Sequence, residues 1–439
     1  MHILHIVQLY YPVASGAGRY FAEVGERLVA EGHHVTVLST DAYDLEYFWN
    51  PARRRVETPA ETHKGVRIIR FPVQRIPGPP IVYPILRRLM VELSRLPATA
   101  RLLRRMAMLT PRLPDMRRYF QAHAAAPRSV GIPPFALIHA TNITLDFAIW
   151  PAFDFARAHG IPFIATPFVH LGPPGDSSIL RYYSMRHQID LLRRSARVIT
   201  MTGLEGDALA ARGVDRARMR RVGVGVNPAE IAGGDGARFR AEQRIDGPLV
   251  LYIGAMAFDK GAVHTVEAMQ RLWAQGENAT LALIGAPLAH FTEFYERLPA
   301  TGKARIRILP YAPDQVKRDA LAAADLFAMP SRTDSFGITY LEAWCYGLPV
   351  IGARAGGVPD VIDDGRDGLL VPFGDLEAIA GAIGRLLHDR DEAQRLGAAG
   401  REKVMRELTW DRIYAQVRAV YDEVVGDEGR RTKDEEPAR

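Results

Sequence analysis

The chain has 439 residues, a length that suggests two domains. Of these residues 48% are hydrophobic and 24% are charged, a composition typical of a soluble globular protein. Its single cysteine, Cys345, excludes an internal disulfide. The sequence contains no run of about 18 apolar residues, so it predicts no membrane-spanning helix. The first seven residues lack the basic start of a signal peptide. We therefore expect a cytoplasmic protein, whose net charge of +6 favours phosphate-rich ligands or anionic surfaces as partners.

Strands and helices alternate along the first half of the sequence. A short apolar strand at 2–8 precedes a loop of turn-forming residues, a helix at 19–30 and a second strand at 35–38. This strand–loop–helix–strand unit predicts a parallel sheet. The pattern continues with strands at 136–139, 162–166 and 198–202, a helix at 205–211, and a last strand with an interdomain hinge at 221–228.

A second series of the same kind follows. Its predicted strands are 249–254, 280–285, 306–309, 326–329 and 349–352, and its predicted helices are 261–275, 314–323 and 337–346. We therefore predict an α/β protein with two Rossmann-like domains, at 1–225 and 226–408.

The C-terminal segment is predicted to be a helix at 409–425 that packs back toward the N-terminal domain. Its apolar residues recur at helical spacing and share one face: Trp410, Ile413, Tyr414, Val417, Val420, Tyr421 and Val424. Residues 426–439 are charged and nearly free of large apolar side chains, so we expect this tail to be disordered.

One segment, 75–130, interrupts the α/β pattern as a basic amphipathic insertion. Residues 75–118 contain ten arginines, no lysine and two acids. Two sets of apolar residues are each predicted to share one helical face: Leu86, Leu89, Met90 and Leu93, then Leu102, Leu103 and Met106. The segment either binds an anionic membrane surface, where it would meet a lipid-linked acceptor, or forms a basic lid packed on its own domain. No nucleic-acid-binding module accompanies the charge, so nucleic acid is not expected as a partner.

The strongest local motif runs from Ser331 to Glu342 and pairs two acids, Asp334 and Glu342, around a predicted helix start. Asp334 or Ser335 is predicted to cap this helix. The backbone N–H groups that follow, on Phe336, Gly337 and Ile338, would then form an anion site. Because eight helical residues extend roughly 12 Å, the acids could contact a sugar and a ribose on either side of a diphosphate. Alone, the motif fits a capping aspartate and a surface glutamate better than a ligand site, and its neighbours reverse that preference.

Two further motifs follow strands of the same predicted sheet. Gly254 ends a strand, and Lys260 stands beside a glycine at the next helix start, as a phosphate-binding lysine would. Gly356 and Gly357 follow strand 349–352, where the lack of side chains lets the backbone approach a ligand. Ligands of open α/β sheets bind where the strands end, so the three motifs predict one site.

These motifs resemble those of the large family of retaining glycosyltransferases that share the GT-B fold, grouped as family 4. The resemblance covers nearly the whole chain apart from 75–130 and the tail, and it includes Thr166–His170 and Met201–Thr202. It implies two Rossmann-like domains that face each other across a cleft. It also implies transfer of a hexosyl group, with retention, from a nucleoside-diphosphate sugar to a glycan or lipid-linked glycan, as in cell-envelope or polysaccharide synthesis.

The resemblance also implies roles for individual residues. Glu342 would bind the ribose, Asp334 the donor sugar, and His170 would face the reaction centre. The diphosphate would be bound by Lys260, by the amides of Gly356, Gly357 and Val358, and by Gly16 from the opposite domain. Because amides and cations bind the diphosphate, neither a metal ion nor a cofactor is expected.

The sequence departs from the family at three positions. The first acid is Asp334 where glutamate is usual, and Ala255 stands where an arginine usually follows the glycine. Thr141 stands where many members have a histidine. Arg19, Arg354 or another cation could replace the missing charge at position 255.

Other functions stay open at this stage. A non-catalytic nucleotide-sugar-binding protein would explain Ala255, and a GT-B phosphorylase would use phosphate as the acceptor. A nucleotide-sugar epimerase would need other acids and histidines. The loop Gly16–Phe21 fits a nicotinamide-binding fingerprint poorly, because its third glycine is absent and the loop starts well after the first strand.

Overall fold

A computed structural model describes residues 1–13, 15–125 and 134–434. Within these residues the chain divides into two compact units. The first comprises residues 1–169, 180–222 and the segment from Tyr414 onward, and the second comprises residues 170–179 and 223–413. The chain therefore leaves the first unit near residue 222 and returns to it at Tyr414.

The first unit is built on a sheet of eight described strands. These are β1 (His2–Ile6), β2 (His34–Thr40), β3 (Ala60–His63), β4 (Val66–Phe71), β5 (Phe135–Thr141), β6 (Phe163–Thr166), β7 (Arg197–Thr200) and β8 (Met219–Arg221). Their order is β3-β4-β2-β1-β5-β6-β7-β8, and only β3 runs antiparallel to its neighbour. All five residues of the central strand β1 are buried, as expected for a strand with both faces covered.

The helices of the first unit are α1 (Gly16–Ala30), α2 (Val82–Leu93), α3 (Ala100–Ala107), α4 (Pro114–Ala125), α5 (Asp146–Ala158), α6 (Arg186–Arg194) and α7 (Gly203–Ala210). The side chain of Ser15 caps α1 by accepting a hydrogen bond from the amide of Gly18 at 2.9 Å. The insertion contains three helices, α2 to α4; residues 126–130 of the predicted insertion lie outside the described residues.

The second unit is built on six described parallel strands in the order β11-β10-β9-β12-β13-β14. They are β9 (Leu249–Ile253), β10 (Thr280–Ile284), β11 (Ile306–Leu309), β12 (Leu326–Ala328), β13 (Val350–Ala353) and β14 (Leu369–Val371). Its helices are α8 (Pro228–Ile231), α9 (Gly236–Gln243), α10 (Ala262–Ala274), α11 (Ala289–Glu296), α12 (Ala300–Lys303), α13 (Asp314–Ala323), α14 (Ile338–Cys345), α15 (Leu376–His388) and α16 (Arg390–Glu407).

The last helix, α17 (Trp410–Asp434), begins in the second unit and continues into the first. All seven apolar residues predicted to share its face are buried. The helix continues beyond residue 425, so the prediction that the tail is disordered from 426 is wrong for 426–434. Extending an existing helix costs much less than starting one, which accounts for the additional turns. Residues 435–439 of that prediction lie outside the described residues.

Two other sequence predictions need correction. In place of the strand predicted at 221–228, the structure has the shorter strand β8, which ends at Arg221. The chain leaves the sheet there because Gly223 takes a left-handed φ of +84°, and beyond it only Val226 forms a bridge, to Thr409. In the insertion, Leu89 and Leu102 are exposed although Met90 and Leu103, predicted to share their faces, are buried. Among the described helices, none is both long and apolar enough to cross a membrane.

Candidate functional site

The three predicted motifs of the second unit lie where its parallel strands end. Gly254 follows β9, Lys260 precedes α10, and Asp334 lies between β12 and α14. The loop of Gly356 and Gly357 follows β13. Because β9, β12 and β13 are neighbours in the sheet, the fold places these loops side by side at one edge.

Lys260 and Asp334 form an ion pair at the centre of this edge. The Nζ of Lys260 lies 2.8 Å from Oδ1 of Asp334. Burial alone would raise the pKa of Asp334, but the charge of Lys260 and its hydrogen bond hold this pKa below its ordinary value. The carboxylate is therefore ionised at neutral pH. Its second oxygen, Oδ2, is buried and accepts no hydrogen bond from the described residues.

His170 belongs to the second unit and lies within electrostatic reach of this pair. Burial and then the positive charge of Lys260 lower the pKa of His170 to about 4, while Asp334 opposes the shift. The imidazole is therefore neutral at neutral pH. It can donate or accept a hydrogen bond there, but it adds no positive charge to the site.

Glu342 lies on α14 and is buried. Lys317, on α13, places its Nζ 2.5 Å from Oε2 of Glu342. Sequence reasoning missed Lys317, because 25 positions separate it from its partner and no local motif links the two. The ion pair compensates the charge of a buried carboxylate.

The start of α14 differs from the prediction. Neither Asp334 nor Ser335 caps the helix; the cap residue is Gly337, with a φ of +90° that favours glycine. The helix begins only at Ile338, so its cap position falls three residues after Asp334. The amides of Phe336, Gly337 and Ile338 donate to no acceptor among the described residues, as the anion-site prediction requires.

The amides of the 356–358 loop are already engaged within the second unit. Gly356 donates to the carbonyl of Gly172 at 2.9 Å, and Gly357 donates to the carbonyl of Asp334 at 2.8 Å. Val358 donates to the carbonyl of Ala355 at 3.3 Å. The loop therefore supports the backbone of Asp334, and binding of a diphosphate by these three amides stays a prediction.

Ala255 brings no side-chain cation to the strand end, and Arg332, in the loop before α14, pairs with the loop that follows Ala255. Arg332 lies 2.7 Å from Asp259, the residue before Lys260, and its guanidinium stands 5.0 Å from the ring centre of Phe373. Sequence reasoning missed Arg332 although it lies inside the Ser331–Glu342 motif. Arg354, which the sequence suggested instead, pairs with Asp364.

Gly16, the remaining predicted donor contact, lies in the first unit as the first residue of α1. A Cβ added to Gly16 would meet no atom within 4 Å. No described residue of the first unit therefore requires glycine there for packing, and its contact with a diphosphate stays a prediction.

The first unit has its own surface cavity of about 810 Å³. Its walls follow the ends of β1 and β2 and comprise Pro12, Tyr43, Tyr47, Pro51, Arg53, Arg54, Arg55, Val56 and Glu57. Arg53 pairs with Asp44 at 3.2 Å and Arg55 with Glu57 at 2.9 Å. Arg54 forms no ion pair with a described carboxylate, and its guanidinium stacks 4.0 Å from the ring centre of Tyr43. The cavity thus offers a cation and aromatic surface to an anionic or sugar ligand.

Two family models match the chain, one in each half. Residues 236–403 match the model described as glycosyl transferases group 1, and residues 15–225 match a glycosyl transferase 4-like domain. The first range contains Lys260, Asp334 and Glu342, and the second contains His170 and every lining residue of the cavity except Pro12.

Curated relatives match over part of their length. A GDP-mannose-dependent alpha-(1-6)-phosphatidylinositol monomannoside mannosyltransferase of Mycobacterium tuberculosis is 31% identical over 41% of this chain and 48% of the relative. A D-inositol 3-phosphate glycosyltransferase of Acidothermus cellulolyticus is 33% identical over 56% of each. The chain thus spans about half the length of these relatives.

Solved structures match over nearly the whole chain. Sucrose-phosphate synthase from Thermosynechococcus elongatus superposes with a TM-score of 0.70 and 23% identity, covering 97% of this chain and 99% of that one. Anabaena Alr3699/HepE in complex with UDP and glucose superposes with a TM-score of 0.70 and 17% identity, covering 96% and 100%. At these identities the likeness defines the fold alone, and that fold is GT-B.

Proposed function

Because the two halves of the chain match the family models described as glycosyl transferases group 1 and glycosyl transferase 4-like domain, we propose that it transfers a hexosyl group from a nucleoside-diphosphate sugar to an acceptor hydroxyl. The observation that supports this most directly is the Lys260–Asp334 ion pair beside the amides of Phe336, Gly337 and Ile338. A cation, a carboxylate and N–H donors without a protein acceptor are the groups that a sugar diphosphate needs.

In the proposed reaction, the bond between the anomeric carbon and the diphosphate breaks while negative charge develops on the leaving phosphate. Lys260 and the α14 amides stabilise this charge, and Asp334 accepts hydrogen bonds from hydroxyls of the sugar. Glu342 binds the ribose, with Lys317 holding its carboxylate in place. Neutral His170 hydrogen-bonds to the sugar without repelling Lys260.

We propose retention of configuration through a short-lived oxocarbenium-like state, in which the leaving phosphate takes the acceptor proton. The resemblance to retaining enzymes motivates this, together with the pairing of Asp334 with Lys260, which makes the carboxylate a weak nucleophile. The proposed reaction uses neither a metal ion nor a cofactor, because Lys260 and the amides compensate the negative charge of the diphosphate that a metal would otherwise compensate. Arg332 is the nearby cation proposed to offset the loss of arginine at Ala255.

The acceptor is proposed to bind in the first-unit cavity, with its hydroxyls or phosphate on Arg54 and a sugar ring against Tyr43 or Tyr47. A glycan or lipid-linked glycan of cell-envelope or polysaccharide synthesis fits such a cavity. The presence of Ala255 favours one other function, a nucleotide-sugar-binding protein without turnover.

The test is a thermal-shift panel of UDP-, GDP-, ADP- and TDP-sugars with nicotinamide cofactors as controls, followed by release of the nucleoside diphosphate. One nucleotide family should raise the melting temperature by mass action. Lys260→Ala should weaken binding about tenfold or more, consistent with the loss of one charge-assisted bond, whereas Lys303→Ala, on the surface of α12, should not. Stabilisation by a nicotinamide cofactor alone would overturn the proposal, and binding without turnover would leave the non-catalytic function.

A further inference from the structure

The helices of the insertion have two different sides. One side packs into a buried cluster that α2, α3 and the start of α6 share: Met90, Val91, Leu103, Met106, Ala107 and Met185, with Leu86, Leu93 and Tyr182 at its margin. Arg87 is also buried on this side and pairs with Asp146 at 3.4 Å. The insertion is therefore a fixed layer of the first unit on this side.

The other side is apolar although no described residue covers it. Seven large apolar side chains between residues 76 and 109 are 43% to 59% exposed: Ile76, Ile81, Ile85, Leu89, Leu96, Leu102 and Leu109. On α2 they recur at 81, 85 and 89, which is the spacing of one helical face. Because α2 and α3 turn their buried residues into one cluster, their exposed residues lie on the outer side of the same layer. We name the four of these residues that belong to the two helices and the cap of α2 the apolar face: Ile81, Ile85, Leu89 and Leu102.

Arginines border the apolar face. Arg88 on α2 and Arg101 and Arg105 on α3 are exposed and form no ion pair with a described carboxylate. Glu92 is the exposed acid of α2, and it pairs with Arg95 at 2.8 Å. Exposed Leu and Ile beside unpaired arginines match the interface of a membrane with anionic lipids, in which apolar side chains enter the acyl region and arginines meet the phosphates.

The helix that bears much of this face also contacts the loop that forms the cavity. Tyr83 of α2 stacks on Trp49 with ring centres 5.4 Å apart and planes 3° from parallel. Arg75 stands 4.3 Å from the ring centre of Tyr47, a cavity residue. A membrane bound to the apolar face would therefore lie close to the cavity in which the proposed acceptor binds.

We propose that the apolar face docks on an anionic lipid membrane and that the acceptor reaches the first-unit cavity from that membrane. The docking itself does not depend on the proposed sugar transfer, whereas the route of the acceptor rests on it. The docking and the glycosyltransferase function can therefore fail separately.

The experiment is flotation of the full chain with vesicles of phosphatidylcholine, with and without phosphatidylglycerol. The wild-type chain should float with the anionic vesicles. Arg88→Gln, Arg101→Gln and Arg105→Gln together should weaken binding by about 100-fold, roughly fivefold for each arginine. The control replaces three arginines of the second unit with glutamine: Arg366, Arg390 and Arg412. These arginines are also exposed and form no ion pair with a described carboxylate, so the control should bind as the wild type does.

The apolar contribution needs its own pair of variants. Ile85→Glu with Leu89→Glu should weaken vesicle binding at least tenfold, while Met405→Glu, an exposed apolar position of α16, should have no such effect. Both variants should keep the thermal shift given by the nucleotide sugar, which shows that they are folded. Failure of the wild-type chain to float, or equal flotation of the Ile85/Leu89 variant and its control, would overturn the proposal.

Discussion

His170 shows how the surroundings of one residue determine what it can do. The family resemblance implies only that His170 would face the reaction centre, and the chemistry of this residue depends on its protonation. Burial and the charge of Lys260 lower its pKa to about 4, from an ordinary value of 6.5. The structure therefore favours a hydrogen-bonding imidazole over a cationic general acid.

This shift predicts a dependence of stability on pH. Between pH 6.5 and about 4 the unfolded chain protonates at His170 while the folded chain does not, so stability should fall as the pH falls through this window. His170→Gln should remove about 1–3 kcal/mol of that fall. Urea unfolding of both proteins across the window measures the difference, in which the contributions of other histidines cancel. Parallel curves would contradict the assignment.

At the scale of elements, the loop after β13 supports the loop before α14. Gly356 has a φ of +62°, and a Cβ added there would lie 2.3 Å from the carbonyl oxygen of Asp334. Contacts closer than 3.0 Å to backbone force a displacement, and the backbone displaced here is that of the residue paired with Lys260.

Gly356→Ala should therefore weaken nucleotide-sugar binding by about tenfold or more. The matched control is Gly365→Ala, which has a similar left-handed φ of +75° but open space around the added Cβ. Both variants should lose about 1 kcal/mol of stability from backbone strain. Isothermal titration with the stabilising nucleotide sugar separates them, and equal affinities would contradict a supporting role for the 356–358 loop.

At the scale of the whole molecule, residues far apart in sequence complete the first unit. The hydroxyl of Tyr421, on α17, lies 3.0 Å from Nε2 of His5 and 2.7 Å from Nδ1 of His139. His139 also contacts the hydroxyl of Thr166 at 2.7 Å. Burial lowers the pKa of His5 to about 3, so this network is made of neutral groups.

Tyr421→Phe removes the hydroxyl but keeps the ring, leaving buried imidazole nitrogens without partners. The free energy of unfolding should fall by about 1–3 kcal/mol, and hydrogen exchange in α17 should accelerate. Tyr11→Phe, at an exposed tyrosine of the same unit, should leave both unchanged. Unaltered exchange in α17 would mean that apolar packing alone holds the helix.

Local patterns of the sequence predicted most of the elements and indicated a glycosyltransferase. Buried parallel strands are short apolar runs, so β9 to β13 were predicted within about one residue. The spacing of Trp410 to Val424 likewise predicted the buried face of α17. The motif from Ser331 to Glu342 marked the candidate site, because its acids and glycines lie close together in the chain.

Only the tertiary structure decided which side chains meet. The pairs of Lys260 with Asp334 and of Lys317 with Glu342 join residues 74 and 25 positions apart, and such distances leave no periodic signal in the sequence. The same holds for the insertion, where burial in a shared cluster separates Met90 from exposed Leu89 although both are apolar. Local patterns determine whether an element is a helix or a strand. Which face it buries, and which of its ionisable side chains are protonated, depend on the elements packed against it.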